Sequence, residues 1–434
     1  MKFIVAAIDV HKKVLMVVVV DAADPEMVLA RRRFGTTASE REHLVAWLKE
    51  HQVQEIVMES TAQYWKPIWL DLELHFAKLH LAQAHSNRAP KGRKNDFGDA
   101  ERLARRLVAG ELILSFVPDA EQRDWRSLTR GKVQLVQEVV RLGNQLEAFL
   151  EEVRIKLSSV VSELLGLSGR RILRALADGE SDPDKLAQLG DRRLKCSKEK
   201  LADALKGQLQ PQHREMLKLS LERLELLERQ ILKMDQMTAE AMNKYESAVI
   251  RLAEVPGFGP DSAQQVLAEI GPDAKSFDSA GNLASWVGVC PGSNESAEHN
   301  RSSSSPKGNC SLRRILTQAA QAAVKKKGSH FQKTFRRWLP KLSYNGAIWA
   351  IAHKLCRLVW KVLHDQVSYV EQGQELDPKA KQRRAKKMIQ ALRQLGYDVI
   401  ISSPASQPAQ GCFSGECPWA RGPPKWMKMG ASRR

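Results

Sequence analysis

Hydrophobic residues in the first third of the chain are grouped into runs of the length of β-strands. The run Val17–Val20 contains β-branched residues only, which favours a strand over a helix. The first three runs follow one another closely, so we expect them to form an antiparallel meander. The five predicted strands are residues 3–9, 14–20, 28–34, 55–58 and 78–83.

Helical stretches separate the later strands. One helix is predicted over residues 39–50, with Ser39 as its N-cap and Glu42 completing a capping box. A second is predicted over about 62–76, and a third begins near Asp96. The order βββαβαβ followed by a helix predicts an α/β fold, in which helices cover a mixed sheet.

Leucines recur at steps of three, four or seven between about 120 and 250. One series runs from Leu128 to Leu164 and another from Leu217 to Met234, with a polar region near 166–200 between them. Two such series predict two long helices that form an antiparallel coiled-coil arm. A plain helical bundle is the alternative. Either arrangement favours a homo-oligomer, a dimer or a tetramer.

The remaining sequence divides into two further regions. Residues 251–365 are rich in glycine, serine and basic residues, and a mostly helical unit is predicted there. A basic helix is predicted around 379–387, and the Pro/Ser/Gly-rich tail from about 402 is expected to be disordered. The predicted domains are residues 1–120, 121–250, 251–365 and 366–434.

The charge balance restricts the class of partner. The net charge is +18 and the isoelectric point is near 9.7, which favours nucleic acid or an anionic membrane. No apolar run reaches the roughly 18 residues of a membrane span, and the N-terminus is a strand rather than a signal peptide. Six scattered cysteines are typical of reduced thiols, and Cys412 and Cys417 lack partners for a zinc site. We expect a cytoplasmic, nucleoid-associated protein.

Four carboxylates occupy positions typical of metal ligands. Asp9 and Glu59 end apolar runs, and Asp96 and Asp99 share one face at the start of a helix. For any one acid alone, a solvated strand end or a helix N-terminal charge is the favoured explanation. Together, four such acids would repel one another unless they bound hard cations, and two cations about 3.5–4 Å apart are a common device for phosphodiester cleavage.

Basic residues indicate where nucleic acid binds. No acidic residue occurs between Glu298 and Asp365, although that stretch has fourteen lysines and arginines. Interleaved aromatic residues such as Trp338 and Tyr344 are suited to base stacking, whereas helix core is the favoured alternative for Trp349 and Trp360. The predicted phosphate contacts are Arg301, Lys307, Arg313, Arg314, Lys325, Lys326, Lys327, Arg336 and Arg337, with Arg88, Lys91, Arg93 and Lys94 before the third helix.

Two glycines precede another predicted helix. Gly257 and Gly259 lie in Val255–Pro260, where a backbone turn followed by a helix N-terminus can bind a phosphate. The segment resembles the hairpin of helix–hairpin–helix DNA-binding motifs. A tight helix–helix turn is the alternative explanation.

The acidic motifs resemble those of a known family. Ile8–Lys12, Met58–Thr61 and Lys94–Ala100 are similar, in order and content, to the catalytic domain of DEDD insertion-sequence transposases, the RuvC-like recombinases of insertion-sequence family one-ten. The resemblance covers about residues 1–110 and the following helices, and it implies an RNase H-like fold. It also implies catalytic metal ligands, with Mg²⁺ or Mn²⁺ as the ion, at Asp9, Glu59, Asp96 and Asp99.

A second block resembles the C-terminal transposase domain of the same family. Trp286–Ala297 follows the pattern Gly-x-x-Pro, four residues, then Ser-Gly, except that Ala297 replaces the glycine. The resemblance implies that Ser296 is a nucleophile that forms a covalent phosphoserine link to DNA. Ser293 and the serines at 302–305 are its rivals. The resemblance further implies an active site shared between subunits and a structured RNA that pairs with donor and target DNA.

These features lead to one main functional prediction and two alternatives. The main prediction is a transposase that cuts and rejoins double-stranded DNA to excise and insert a mobile element. The first alternative is a RuvC-like, structure-selective endonuclease that uses water. The second is a nucleic-acid-binding protein whose active site has decayed.

Overall fold

The computed structural model describes residues 3–60, 62–84, 97–292, 294–296, 299–302 and 305–371, together with Lys386 and Gln390. For residues 294–296 and 299–302 it describes the backbone. Contacts divide the chain into two units, residues 1–373 and 374–434. All strands and helices named below lie in the first unit. Among the described helices, none combines the length and the apolar character that a bilayer span requires.

Five strands form the sheet. They are β1 (Ile4–Val10), β2 (Leu15–Asp21), β3 (Asp24–Phe34), β4 (Glu55–Glu59) and β5 (Leu79–Ala82). The strand order is β3-β2-β1-β4-β5. The first three strands are antiparallel, and β4 runs parallel to both β1 and β5. This arrangement confirms the predicted mixed α/β sheet and fits an RNase H-like fold.

Helices cover both faces of this sheet, and the alternation along β1 decides which residue meets which helix. Ile4, Ala6, Ile8 and Val10 share a core with α1 (Ala38–Glu50) and α2 (Trp65–Leu72). The odd-numbered β1 residues Val5 and Ala7 share another core with α3 (Gly98–Val108). Because successive strand side chains point to opposite faces, the odd-numbered Asp9 faces α3.

The predicted cap of the first helix is wrong. α1 begins at Ala38 and its N-cap is Thr37, whose side chain makes no capping hydrogen bond. The Glu40 carboxylate instead reaches back and accepts a hydrogen bond of 2.8 Å from the Gly35 backbone N–H. Ser39 and Glu42 therefore do not form the expected capping box.

Two long helices follow the sheet. α4 (Ala120–Glu152) contacts α9 (Pro211–Ala241), and the ion pairs of Lys132 with Asp235 and of Glu138 with Arg223 show that they are antiparallel. Coiled-coil packing and oligomerisation remain predictions. The expected continuation of the first helix to Leu164 is wrong, since α4 ends at Glu152.

The connection between these helices is structured rather than a polar linker. It contains α5 (Leu157–Val160), α6 (Leu167–Ala177), α7 (Pro183–Gln188) and α8 (Lys198–Ala204). These short helices share a hydrophobic core with the ends of α4 and α9. The polar residues that suggested a linker cover the outside of this core.

A helical region with one short hairpin completes the first unit. Its hydrophobic core includes Trp125 from the start of α4, so the arm begins inside this region. The elements are α10 (Glu246–Ala253), α11 (Pro260–Ile270), α12 (Ala280–Val287), β6 (Asn294–Ser296), β7 (His299–Ser302), α13 (Cys310–Ala323), α14 (His330–Trp338) and α15 (Tyr344–His364).

Candidate active site

Two of the predicted acids lie at the ends of neighbouring parallel strands. Ile8 of β1 pairs with Met58 of β4, so Asp9 and Glu59 follow paired residues at the same edge of the sheet. Val57 belongs to the core beneath α3, whereas Met58 belongs to the opposite core. By alternation Glu59 therefore faces α3, as Asp9 does.

The third acid comes from the helix that covers this face. Asp99 lies in the first turn of α3, and the buried Ala100, Leu103 and Ala104 pack that helix onto the sheet. The two alanines leave little side-chain bulk between helix and sheet, which brings the helix start close to the strand ends. The fourth predicted ligand, Asp96, lies outside the described residues, as do the predicted contacts Arg88, Lys91, Arg93 and Lys94.

The environment of Asp9 and Glu59 disfavours their negative charge. Asp9 is only 7% exposed. Burial raises the pKa of Asp9; the charge of His11 offsets part of this effect and the Asp99 carboxylate adds to it. Burial likewise raises the pKa of Glu59, and the nearby Asp9 and Asp99 raise it further. Three carboxylates thus repel one another at this edge.

Two basic residues contact these acids, and sequence reasoning did not assign either of them a role. The His11 Nε2 atom lies 3.0 Å from Asp9 Oδ2. Arg102 donates a hydrogen bond of 2.7 Å from Nη1 to Asp99 Oδ1, whereas its buried Nε has no hydrogen-bond partner among the described residues. Their positions were a usable signal, because His11 is two residues beyond Asp9 and Arg102 is one helical turn beyond Asp99.

The donor set suits a hard divalent cation, but the described residues alone do not enclose one. Carboxylate oxygens are the ligands that Mg²⁺ and Mn²⁺ prefer, and a cation would relieve the repulsion that raises both pKa values. In the described part of the chain, no three His, Cys, Asp or Glu side chains are close enough together to hold a metal. The metal assignment therefore remains a prediction.

The predicted nucleophile lies on the short hairpin. In β6, the backbone of Ser296 pairs with that of His299 in β7, so the described backbone places Ser296 at the end of the first hairpin strand. The side chains of Ser296 and Arg301 are outside the described part of the structure, as is Ser293.

The two ends of the loop that carries this hairpin touch each other. Gly288 has φ +75°, and a Cβ atom there would lie 2.6 Å from the Pro306 carbonyl oxygen. A Cβ atom at Gly308 would lie 2.2 Å from the Val287 carbonyl oxygen. Only glycines allow this crossing. Beside it, the Trp349 indole N–H donates to Ser305 Oγ at 2.8 Å.

A buried carboxylate fixes the same loop to the arm. Glu269 of α11 is 1% exposed. Arg130 of α4 donates to its two oxygens at 2.8 and 2.9 Å, and Asn309, the N-cap of α13, donates at 2.8 Å. Burial alone would raise the pKa of Glu269, but the Arg130 hydrogen bonds and the charges of Arg126 and Arg130 outweigh it and lower that pKa. Glu269 therefore connects α4, α11 and the loop end.

The predicted phosphate contacts differ in their surroundings. Arg313 lies over the Trp349 ring at 4.9 Å, and Arg314 donates to Gln265 Oε1 at 2.7 Å, so both are partly engaged within the protein. The others that the structure describes have exposed side chains: Lys307, Lys325, Lys326, Lys327, Arg336 and Arg337. Their role in binding nucleic acid remains a prediction.

The two glycines before α11 differ in packing, and this difference allows a direct test. Gly257 has φ +96°, and its Cβ would lie 2.1 Å from the Ala319 carbonyl oxygen, whereas a Cβ at Gly259 would have no neighbour within 4 Å. We expect Gly257→Ala to lower the free energy of unfolding by about 3 kcal/mol. Gly259→Ala, the matched control, is expected to cost less than about 1 kcal/mol. Chemical denaturation measures both.

The outcome separates the two explanations of this turn. Equal and small losses of stability, accompanied by equally weakened binding of a DNA duplex, would favour the phosphate-binding explanation. A large loss at Gly257 alone would favour the tight helix–helix turn, because Ala319 of α13 packs against the turn.

Two family models match the chain. A model of the DEDD transposases of the IS110 family, described as "Transposase", matches residues 6–155. A model described as "Transposase IS116/IS110/IS902 family" matches residues 250–336. A comparison with curated proteins found no match. The first match includes the acids Asp9, Glu59 and Asp99. The second includes the hairpin β6–β7 and the glycines Gly257 and Gly259. The chain belongs to the IS110 family of DEDD transposases.

Proposed function

We propose that this transposase cuts and rejoins double-stranded DNA with a metal site at Asp9, Glu59, Asp96 and Asp99. The observation that carries the proposal is the convergence of Asp9, Glu59 and Asp99 at one edge of the sheet, where burial and mutual repulsion raise the pKa of two of them. Clusters of like charge are costly to a fold unless they bind a counter-ion. The family membership supports DNA as the substrate.

The proposed roles of these side chains follow from their chemistry. The carboxylates would hold Mg²⁺, or Mn²⁺, which supplies charge to stabilise a phosphorane-like transition state when it is bound. Asp9 and Glu59 are fixed by strands and Asp99 by a helix, so the oxygens are held on rigid elements. Arg102 orients Asp99 through its 2.7 Å hydrogen bond, and His11 does the same for Asp9 at 3.0 Å.

We assign the nucleophile to Ser296. In the proposed step, Ser296 Oγ forms a bond to a backbone phosphorus while one P–O ester bond of DNA breaks. The serine proton leaves to solvent or to a base, and the departing strand oxygen takes up a proton. A second strand's hydroxyl then attacks the phosphoserine, which restores the serine and joins the strands. The proposal gains support from the closed loop base at Gly288 and Gly308, which limits where the hairpin can go.

The proposed partners extend this assignment. The exposed lysines and arginines between 305 and 364, a range without acids, support phosphate contact over a large surface. A structured RNA that selects donor and target DNA, and an active site shared between the subunits of a dimer or tetramer, belong to the proposal through the family resemblance. The exposed apolar side chains on the two long helices, such as Val140 and Leu226, suit a contact between subunits.

The test of the nucleophile is the Ser296→Ala variant. We expect it to lose the covalent protein–DNA adduct while it still binds DNA, because only the attacking oxygen is removed. The protein is incubated in Mg²⁺ with a labelled DNA that traps the intermediate, and the adduct is detected on a denaturing gel. Ser293→Ala, a rival serine on the same loop, is the matched control and should retain it.

Two outcomes would contradict parts of the proposal. An adduct that persists in Ser296→Ala would move the nucleophile to another residue. Cleavage without an adduct in both the wild type and the variant would favour the RuvC-like endonuclease that uses water.

A further inference from the structure

The C-terminal helical region contains a cavity lined by basic residues. A cavity of about 570 Å³ opens between α14, α15 and residues 366–371, which we call the C-terminal strap. Lys354, Arg357 and Lys361 recur at steps of three and four, so they line the cavity from one face of α15. His330, the first residue of α14, lines the opposite side.

The cations around this cavity are held close together. Lys354 Nζ lies 3.5 Å from His330 Nε2 and 5.4 Å from the centre of the Trp338 ring. Burial lowers the pKa of Lys354, and the charge of Arg337 lowers it further. Burial and Lys354 lower the pKa of His330, which Glu371 partly offsets. Neither α14 nor α15 contains an acidic residue that would balance these charges.

A carboxylate of the strap contacts the start of α14. Glu371 Oε1 accepts a hydrogen bond of 2.9 Å from the His330 backbone N–H, at the start of α14. The strap also contacts the protein where the Tyr369 backbone N–H donates to Glu254 at 3.3 Å. Most of its side chains are exposed, and Val370 is 76% exposed. The Glu371 carboxylate thus occupies a helix N-terminus at His330, a residue that lines the basic cavity, and it lies on a segment whose side chains are mostly exposed.

We propose that this cavity binds a backbone phosphodiester of nucleic acid, and that the Glu371 carboxylate fills the phosphate position until nucleic acid displaces it. Planar arginine and flexible lysine donors beside a helix N-terminus are suited to a phosphate. The exposed Lys333, Arg336 and Arg337 continue from the cavity along α14, which favours an extended polymer over an isolated phosphate. The inference rests on the proposed function only in that the protein binds nucleic acid.

The first experiment removes the competing charge. We expect Glu371→Gln to bind a DNA duplex or a structured RNA about twofold to fivefold more tightly at low salt, because the carboxylate no longer competes for the site. Asp365→Asn is the matched control, since it makes the same change of net charge at the exposed end of α15. Fluorescence anisotropy with EDTA present measures affinity without cleavage. An equal gain in both variants, or no gain in Glu371→Gln, would overturn the proposal.

A second experiment places the effect in the cavity. Glu371→Gln should no longer tighten the binding of nucleic acid when it is combined with Arg357→Gln and Lys361→Gln. The salt dependence of binding should also fall, by about one phosphate contact for each cation that is removed. A gain that survives this combination would contradict the proposal. Pyrophosphate serves as a competing small anion. If it binds as tightly as nucleic acid does, the cavity is a site for free polyphosphates instead. If the wild-type protein binds no nucleic acid, the proposed function is contradicted as well. If the wild type binds nucleic acid and the variants bind it equally well, only the present inference is contradicted.

Discussion

Asp9→Asn is expected to reduce metal-dependent DNA cleavage by on the order of a thousandfold or more, while the variant remains folded. The side chain lies where β1 ends, beneath α3, and its carboxylate is the one most deeply buried among the described acids of the site. Asparagine preserves the size of the side chain and its hydrogen bond to His11, but it removes the charge that a cation needs. Cleavage of a labelled duplex in Mg²⁺ or Mn²⁺ measures the loss.

The stability of this variant is equally informative. Because burial raises the pKa of Asp9, its charged form destabilises the metal-free fold, so Asp9→Asn should melt at the same temperature as the wild type or higher in EDTA. Asp21→Asn, an acid that ends β2, is the matched control and should leave cleavage unchanged. Unchanged cleavage by Asp9→Asn would remove this carboxylate from the chemistry and favour the interpretation of the protein as a nucleic-acid-binding protein with a decayed site.

Glu269→Ala is expected to lower the free energy of unfolding by about 3–5 kcal/mol. Arg126 and Arg130 would keep their charges but lose the Glu269 carboxylate, since burial lowers the pKa of Arg126 only to about 10. Asn309 would lose its contact as well. Glu228→Ala, which removes a more exposed ion pair with Arg170 on the arm, is the control and should cost less than about 1 kcal/mol. Urea denaturation compares them.

The same carboxylate predicts a dependence of stability on pH. The folded-state pKa of Glu269 lies below its ordinary value, so its contribution is fully present above the ordinary carboxyl pKa of about 4.3. That contribution is lost as the pH falls from there through the lower folded-state value. From neutral pH down to about pH 4.3, the difference in stability between the wild type and Glu269→Gln should remain constant. Below that pH the difference should become smaller. A difference that grows on acidification would contradict the assigned direction of the shift.

The sheet was predictable because its strands are governed by local pattern. Val17–Val20 has a strand period and composition, and the close spacing of the first three runs leaves room only for tight connections. The arm was harder to predict. Its leucine steps continue past Glu152, but Arg154 adopts φ +64° and the chain turns into short helices whose core is formed by residues distant in sequence. Periodicity alone carries no information about where such a helix stops.

The site was predictable to the extent that its residues end regular elements. Asp9 and Glu59 follow apolar strands, and Asp99 begins a helix, so topology brings them together. Glu269 gave no such signal, because an acid within an amphipathic helix is ordinarily solvated, and its partners Arg130 and Asn309 are 139 and 40 residues away in the sequence. Contacts of this range depend on tertiary packing that no local pattern encodes.

The crossing of Gly288 and Gly308 has a consequence for how this chain can change over time. Because the two backbones meet at the base of the loop, the loop that carries the hairpin begins and ends at the same point of the structure. Neither glycine tolerates a Cβ atom, so we expect substitutions at Gly288 or Gly308 to cost more stability than substitutions within the hairpin. The proposed nucleophile, Ser296, could then be lost or replaced through changes confined to this short segment.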